Sequence, residues 1–274
     1  MASSHDNVSM AVFCDFENVA LGVRDANYEK FDIKPVLERL LLKGSIVVKK
    51  AYCDWERYKD FRAAMHYASF ELIEVPHVSQ SGKNSADIRM VVDALDLCYT
   101  KAHVDTFVIL SGDSDFSPLV SQLRENNKTV IGVGVKNSTS NLLIANCDEF
   151  IYYDDLVRVQ KARPAPKKKA EAKGAVTVSA PAHKKTDADK KQEAFDLVLE
   201  TVEALIEERG EEEKLWGSMV KQALKRRKPG FSESYYGFKS FNALLEEAKA
   251  RRLLDLERDD KSGGYLVKVA TAAP

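Results

Sequence analysis

Two patterns of apolar and polar residues alternate over the first 155 positions of the chain. Short, nearly continuous apolar runs are typical of strands buried on both faces. They predict strands at 10–16, 45–53, 70–75, 104–110, 129–135 and 149–153. Amphipathic stretches between them predict helices near 32–43, 56–69, 85–101, 115–127 and 139–146. This alternation predicts an α/β fold, with a parallel sheet flanked by helices.

The pattern changes after residue 160. Large apolar residues nearly vanish from 161–191, where alanine, lysine and proline dominate, so this segment is predicted to be a flexible linker. From residue 192 onward, three helical segments and a closing hairpin predict a small winged-helix-like domain over 192–274. The predicted organisation is therefore an α/β domain at 1–160, a linker and a second domain.

Charge divides the chain in the same way. Residues 1–160 carry 17 Lys+Arg against 23 Asp+Glu, a net charge of -6, whereas 161–191 carry +7 and 192–274 carry -2. The overall value of -1 hides this division. The linker lysines either attract a polyanion without sequence preference or belong to a solvated spacer. They are Lys167, Lys168, Lys169, Lys184 and Lys185.

Several classes of protein are disfavoured. No apolar run is long enough for a transmembrane helix, and the first ten residues lack the features of a secretory signal, so we expect a cytoplasmic protein without membrane contact. The four cysteines form no CxxC pair and are expected to be buried, reduced thiols. There is no GxSxG motif and no P-loop, which argues against covalent hydrolases and NTPases.

Carboxylates gather where predicted strands end. Asp15 lies at the end of the first strand, and Asp113 and Asp115 directly follow the fourth. Because parallel strands present their carboxyl ends at one edge of the sheet, these acids are expected to converge. Asp15 gains nothing from helix capping inside AVFCDF and is costly if it is buried unpaired, which favours a functional role. Asp115 alone is more often a helix cap.

A fourth acid, Asp87, falls in the first turn of the helix within SGKNSADIRMVVDAL, where helix dipoles also favour acids. Asp93 lies six residues further on and is expected to face elsewhere. Unpaired carboxylates in one cleft repel each other unless a cation lies among them. Carboxylates suit Mg²⁺ or Mn²⁺, which can activate water and neutralise a phosphoryl group. The expected ligands are Asp15, Asp87, Asp113 and Asp115, and the implied chemistry is phosphodiester hydrolysis.

The neighbouring polar residues leave alternatives open. Asn18 is a site residue or a turn residue, with equal support for each. Glu17 is more easily explained as a solvated surface acid, and Lys83 either contacts phosphate or lies free in a loop. The serines at 111 and 114 either orient the acids or only form the turn.

Three segments together resemble the NYN domain, a PIN-like nuclease family that includes the LabA-like proteins. They are DFEN at 15–18, SGKNSADIRMVVDAL at 81–95 and SGDSDFSPLV at 111–120. The resemblance covers about 8–155 and implies a Rossmann-like fold and metal-dependent RNA cleavage. The residues of this chain that match the family's motifs are Asp15, Asp87, Asp113 and Asp115, together with Asn18.

The segment from LWGSMVKQALKRRKPGF through YYGFKSFNALLE to GGYLVKV resembles the OST-HTH domain, also called LOTUS. The resemblance covers about 192–270 and implies a winged-helix fold that binds RNA or a protein partner. The basic run at the end of a helix could pair with phosphates or only favour the helix terminus. The run comprises Lys225, Arg226, Arg227 and Lys228. Phe238, Phe241 and Leu244 are at helical spacing and are expected in the core, while Tyr235 and Tyr236 allow either role.

These expectations favour a metal-dependent ribonuclease whose second domain recruits RNA to the acids through a flexible tether. One alternative is a non-catalytic RNA-binding or protein-docking regulator. Another is a nuclease of DNA, which would use the same metal chemistry.

Overall fold

The computed structural model describes residues 8–28, 30–75, 85–162, 187–210, 213–228, 230–259 and 264–269. The chain divides into two compact units, Met1–Pro164 and Ala165–Pro274, and each is described by itself. None of the helices in these ranges is both long enough and apolar enough to cross a membrane. The four cysteines are free thiols, as expected; three are buried and Cys147 is half-buried.

The first unit alternates strands and helices along the chain. Its strands are β1 (Ser9–Asp15), β2 (Ser45–Cys53), β3 (Glu71–Glu74), β4 (Thr106–Leu110), β5 (Thr129–Gly134) and β6 (Glu149–Tyr152). Its helices are α1 (Phe16–Asp25), α2 (Lys34–Lys43), α3 (Lys59–Tyr67), α4 (Ser85–Thr100), α5 (Ser117–Glu125), α6 (Asn141–Asn146) and α7 (Tyr153–Ala162). A short 3₁₀ helix, Ser114–Phe116, precedes α5.

The six strands form one sheet in the order β3-β2-β1-β4-β5-β6, and every neighbouring pair is parallel. This is the order of doubly wound, Rossmann-like sheets. β1 lies at the centre, and six of its seven residues are buried, because helices cover both faces of the sheet. The predicted α/β fold with a parallel sheet flanked by helices is confirmed.

Two apolar layers lie on opposite faces of the sheet. Alternate residues of β1 such as Met10 and Val12 pack in one layer, which also contains residues of α1, α2, α3 and α7. Phe13 belongs to the other layer, with Met90 of α4 and Leu119 of α5. The alternation along β1 follows from the two-residue side-chain period of a strand.

Two helices of this unit are absent from the prediction. α1 follows β1 without a loop, and its buried residues Val19 and Val23 have helical spacing. Phe16, predicted as the last residue of the strand, is the first residue of this helix. α7 likewise begins directly after β6, with Asp154 and Asp155 in its first turn, where acids favour a helix.

The described residues of the second unit form three helices and a hairpin, as predicted. Its elements are α8 (Asp187–Arg209), α9 (Gly217–Arg227), α10 (Phe241–Ala250), β7 (Leu254–Arg258) and β8 (Tyr265–Val269). β7 and β8 are antiparallel, and Trp216 adds an antiparallel bridge to Leu266 beside them. The first residues of α8 fall within 161–191, the segment predicted as a linker. The linker lysines lie outside the described residues.

Candidate active site

The sheet order places a crevice at the carboxyl ends of β1 and β4. These two strands are neighbours, and their last paired residues are Cys14 and Leu110. The sheet extends from β1 to β2 and β3 in one direction, and from β4 to β5 and β6 in the other, so the order of the strands reverses between β1 and β4. Ligands of open α/β sheets bind at such a switch point, beyond the carboxyl ends of the strands. The residues that follow here are Asp15 and Ser111.

Asp15 is held by two hydrogen bonds and is almost fully buried, with 7% of its surface exposed. The backbone N–H of Asn18 donates to its Oδ1 at 3.3 Å, and the Ser111 hydroxyl donates to its Oδ2 at 2.9 Å. Asp15 is therefore the N-cap of α1. The expectation that this acid gains nothing from capping is wrong, because the helix that it caps was not predicted.

Burial and neighbouring acids raise the pKa of Asp15 to about 7. Burial is the largest cause; the charge of Asp87 raises the pKa next, the bonds from Asn18 and Ser111 lower it, and Asp113 raises it. Among the described residues, no cationic side chain forms an ion pair with Asp15, Asp87, Asp113 or Asp115. No cationic side chain in the described part of the chain therefore compensates the carboxylate charge in the crevice.

Asp87 lies in the first turn of α4 and is half-buried. Burial raises its pKa to about 6, with further contributions from the charges of Asp113, Asp115 and Glu17. These couplings connect acids from three separate elements. The sheet edge therefore brings the predicted acids into one electrostatic cluster, with Asp15 deepest.

Asp113 and Asp115 flank the entry to the 3₁₀ helix. Asp113 is its N-cap, and its Oδ1 accepts a hydrogen bond from the N–H of Asp115 at 3.0 Å. Asp115 is exposed at the outer side of the cluster. The Asp113 N–H also donates to the Ser111 hydroxyl oxygen at 3.2 Å, so Ser111 links Asp113 to Asp15.

Asn18 connects the two strand ends through a backbone contact. Its side-chain oxygen accepts the Gly112 N–H at 2.8 Å, and the Gly112 carbonyl accepts the Ser140 N–H at 2.8 Å. A Cβ atom at position 112 would lie 2.5 Å from the Ser138 carbonyl oxygen. Gly112 was not singled out in the sequence; its signal is a glycine directly between the strand end and Asp113.

Two other acids lie outside this cluster of unpaired carboxylates. Glu17 forms an ion pair with Arg57 at 3.2 Å, in line with a surface acid. Asp93 accepts hydrogen bonds from Tyr52 at 2.9 Å and from Arg89 at 3.0 Å. Burial opposes ionisation of Asp93, but the Tyr52 hydrogen bond and the Lys50 charge lower its pKa overall. As expected, Asp93 does not share a site with Asp87.

The donor set suits a hard divalent cation in kind, since all its members are carboxylate oxygens. In the ranges that the structure describes, however, no three Asp, Glu, His or Cys side chains lie close enough to hold one ion together. Mg²⁺ usually keeps several waters and takes only one or two carboxylates, together with substrate phosphates. The residues present therefore fit a partly hydrated ion, and they form no closed cage.

The residues predicted to contact RNA lie elsewhere. Lys83 is outside the described residues. In the second unit, Lys225 and Lys228 are exposed and Arg226 is half-buried. Arg227, by contrast, is 6% exposed in its side chain and lies 2.7 Å from Glu200, so it is less accessible than the two lysines, and its RNA contact stays a prediction.

Aromatic residues of the second unit divide between core and surface. Phe238, Phe241 and Leu244 are buried, as expected. Tyr235 is exposed and packs edge-on against Tyr236, with the Lys190 ammonium 5.6 Å from its ring centre.

Comparison with known protein families identifies the family of the first unit. The NYN domain family matches residues 9–154, which include both strand ends and all four acids of the cluster. The chain belongs to the NYN domain family. NYN and other PIN-like domains are generally nucleases, and NYN domains act on RNA. The match ends before the second unit, so it says nothing about an OST-HTH or LOTUS domain there.

One solved structure is similar to part of this chain. The chain is similar to a protein of unknown function from Vibrio parahaemolyticus, with 29% identity and a TM-score of 0.50 over 57% of this chain and 98% of that one. A match to the Orc1 protein of Aeropyrum pernix in complex with DNA has 12% identity and a TM-score of 0.22 over 97% of this chain and 84% of that one, and carries no argument. No curated protein matches the chain.

Proposed function

We propose that this chain is a metal-dependent ribonuclease that hydrolyses RNA phosphodiester bonds at the Asp15 cluster. The observation that carries the proposal is a buried carboxylate at the switch point of the sheet that pairs with no cationic side chain among the described residues. The pKa of Asp15 is raised to about 7 by burial and by nearby Asp87 and Asp113. A bound cation would stabilise the ionised form of such a group, and carboxyl groups with strongly shifted pKa values are common at functional sites.

Carboxylates of Asp15, Asp87 and Asp113 would hold a partly hydrated Mg²⁺ or Mn²⁺, with at most two of them in direct contact with one ion, and Asp115 would lie at the outer side of the site. When bound, the ion supplies charge neutralisation at the phosphoryl group and favours ionisation of water. The protein's own groups set the geometry. Ser111 fixes the Asp15 carboxylate through its hydroxyl, and Asn18 holds the Gly112 backbone that leads to Asp113.

The second unit is proposed to recruit RNA as an OST-HTH-like, or LOTUS-like, winged-helix module. Supporting features are its three helices with a closing hairpin, and the exposed Lys225 and Lys228 at the end of α9. Exposed lysines can pair with phosphates, which an acidic catalytic face repels. Docking of a protein partner on this module is the competing role. Lys83 stays a predicted phosphate contact.

The location of the protein is proposed to be cytoplasmic. All four cysteines are free. Free thiols are typical of proteins from reducing compartments.

The proposal is tested by cleavage of labelled single-stranded RNA and DNA with Mn²⁺, Mg²⁺ or EDTA. Asp15→Asn is the test variant, and Asp96→Asn is the matched control because Asp96 is exposed on α4, outside the cluster. We expect metal-dependent RNA cleavage by the wild type and the control, and none by Asp15→Asn. Equal cleavage by Asp15→Asn would instead identify a contaminating nuclease.

One observation favours a second candidate, the non-catalytic RNA-binding or protein-docking regulator. Among the described residues no three potential ligands are grouped for direct coordination of one ion. RNA binding without cleavage under any metal condition would support this alternative, whereas preferential cleavage of DNA would assign the same chemistry to a different substrate.

A further inference from the structure

An open groove of about 650 Å³ adjoins the outer end of the acid cluster. It lies between the 3₁₀ helix, the start of α5 and α6. Its lining residues are Ser114, Asp115, Ser117, Pro118, Ser121 and Leu142. Volumes of about 300–1,000 Å³ are typical of sites that bind small molecules. A nucleic acid strand with a phosphate at Asp113 would have its neighbouring nucleotide within reach of this groove.

Ser117 lines the groove, and its hydroxyl oxygen is buried, so it would meet a ligand there only after rotation about χ1. The residue is 94% buried, because only 6% of its surface is exposed. Its hydroxyl has no hydrogen-bond partner in the part of the chain that the structure describes. Leaving a buried hydroxyl unpaired is unfavourable, so its presence points to a ligand that supplies the missing partner. A serine can redirect its hydroxyl by rotation about the single χ1 bond.

Leu142 gives the groove an apolar wall. It is the second residue of α6 and is 57% exposed, and its backbone N–H donates a hydrogen bond to the hydroxyl oxygen of Ser140, the N-cap of the helix. Pro118 is the other apolar residue of the lining. Single exposed leucines are common on protein surfaces. This one adjoins an unpaired buried hydroxyl in the same groove, which makes the pair suited to a ligand with an apolar face and a polar edge.

The charge of the lining decides which part of a nucleotide fits. Three of the six residues are serines and one is Asp115, while none is Lys, Arg or His. A phosphate would be repelled by Asp115 and would find no cation. A nucleoside is neutral: its base offers a flat apolar face to Leu142 and Pro118, and its amino or hydroxyl groups donate to Asp115.

We propose that this groove is a nucleoside subsite, which binds the base and sugar of the nucleotide next to the phosphodiester at the acid cluster. This inference rests on the proposed function for its substrate class, single-stranded nucleic acid. Ser117 is a positioning residue that bonds the polar edge of the base, and Leu142 packs on its face. Binding there would align the backbone with Asp113 without any cationic contact.

The test is equilibrium binding by fluorescence anisotropy, in the full chain carrying Asp15→Asn and in Mg²⁺. The probes are labelled octaadenylate, octauridylate and an abasic ribose-phosphate oligomer of the same length. Leu142→Ala and Ser117→Ala are added separately to this background. Val47→Ala is the matched control, because Val47 is also a half-exposed aliphatic residue and lies on β2, away from the groove lining.

We expect Leu142→Ala and Ser117→Ala each to weaken binding of at least one base-containing oligomer by roughly fivefold, since each removes one apolar or polar contact. Binding of the abasic oligomer should not change. Ser117→Ala should keep or raise the melting temperature, since it removes an unpaired buried hydroxyl, so weaker binding cannot come from unfolding. Unchanged affinity for both base-containing oligomers, or an equal loss on the abasic oligomer, would overturn the subsite.

Failure of the two proposals is distinguishable. If the wild type cleaves RNA and Leu142→Ala and Ser117→Ala bind the oligomers unchanged, the subsite proposal is wrong and the nuclease proposal still holds. Base-dependent loss of binding in these variants, without cleavage by the wild type, supports the subsite as part of a binding protein and sinks the nuclease.

Discussion

Asp15 has two opposing effects on the stability of the fold. Its carboxylate caps α1, which favours the folded chain, but it does so beside other acids and away from water. A buried carboxylate with uncompensated neighbours favours its protonated form. The folded state therefore binds a proton at Asp15 more tightly than the unfolded chain does, and this difference links its ionisation to stability.

Asp15→Asn should stabilise the protein at pH 8 without divalent metal. A raised folded-state pKa gives stability that is present below the ordinary Asp pKa of about 4 and is lost as pH rises through about 7. Asparagine escapes this loss and can still accept the Asn18 N–H bond. We expect a gain of about 2 kcal/mol at pH 8 that shrinks toward pH 4, measured by urea denaturation. A variant that is less stable than the wild type at pH 8 would contradict this cause.

Metal affinity should fall as the pH is lowered from 8 to 5.5. Asp15 and Asp87 must lose their protons to bind a cation, and their pKa values are raised to about 7 and about 6. Isothermal titration calorimetry with Mn²⁺ should show affinity weakening by roughly tenfold per pH unit between these two pKa values and more steeply below the lower one, where two protons must be displaced. Asp96→Asn should retain the wild-type profile. Affinity that is independent of pH over this range would exclude these two acids as ligands.

The positions of the acids could be predicted from the sequence, but the hydrogen bonds that hold them could not. Asp15, Asp87 and Asp113 follow from strand ends and a helix start, which local patterns predict well. The bonds from Ser111 to Asp15 and from Asn18 to Gly112 join residues more than ninety positions apart. No local pattern specifies which of several polar neighbours makes such a contact, so two interpretations stayed open for Ser111 and for Asn18.

At the scale of elements, the loop from β4 to α5 is held at Gly112. Its N–H and carbonyl are both bonded, to Asn18 and Ser140, and its α-carbon faces the Ser138 carbonyl. α1 and this loop therefore depend on each other. No loop residues separate β1 from α1, and the first residue of α1, Phe16, continues the apolar run of the strand. The sequence pattern therefore did not reveal α1. Without that helix, the capping role of Asp15 could not be predicted either.

Gly112→Ala should damage both stability and activity. The added methyl group would lie 2.5 Å from a backbone oxygen, so the loop that carries Asp113 must shift. We expect a loss of about 1–3 kcal/mol and a lower cleavage rate, measured by thermal melting and the RNA assay. Gly230→Ala is the control, because no heavy atom lies within 4 Å of a Cβ there. Wild-type behaviour of Gly112→Ala would show that the loop is not tightly held.

At the scale of the whole molecule, the two units divide the tasks of cleavage and binding in our proposal. The first is acidic, and the second has exposed lysines at the end of α9. Fold class was predictable for both because hydrophobic periodicity specifies elements directly. The low exposure of the Arg227 side chain was not predictable, since a run of basic residues does not reveal which of them faces the core.

Arg227→Ala should destabilise the second unit, whereas Lys225→Ala and Lys228→Ala should weaken RNA binding. Arg227 is buried against Glu200 and Thr201, while the two lysines are exposed. We expect a loss of about 1–2 kcal/mol for Arg227→Ala in chemical denaturation, and little change for the lysine variants. In filter binding, a twofold or greater loss should appear only for the lysine variants. The reverse assignment would place Arg227 in the RNA contact.

The position of β1 at the centre of the sheet also has a consequence for synthesis of the chain. Met10 pairs with Thr106, so one edge of β1 has no partner until most of the first unit has been translated. Pairing over such a sequence distance is slow, and an open apolar edge is prone to aggregation during that time. Asp15 and Asp113 are joined through Ser111 only after β4 has emerged. The nascent chain is therefore without a complete acid cluster until the centre of the sheet has paired.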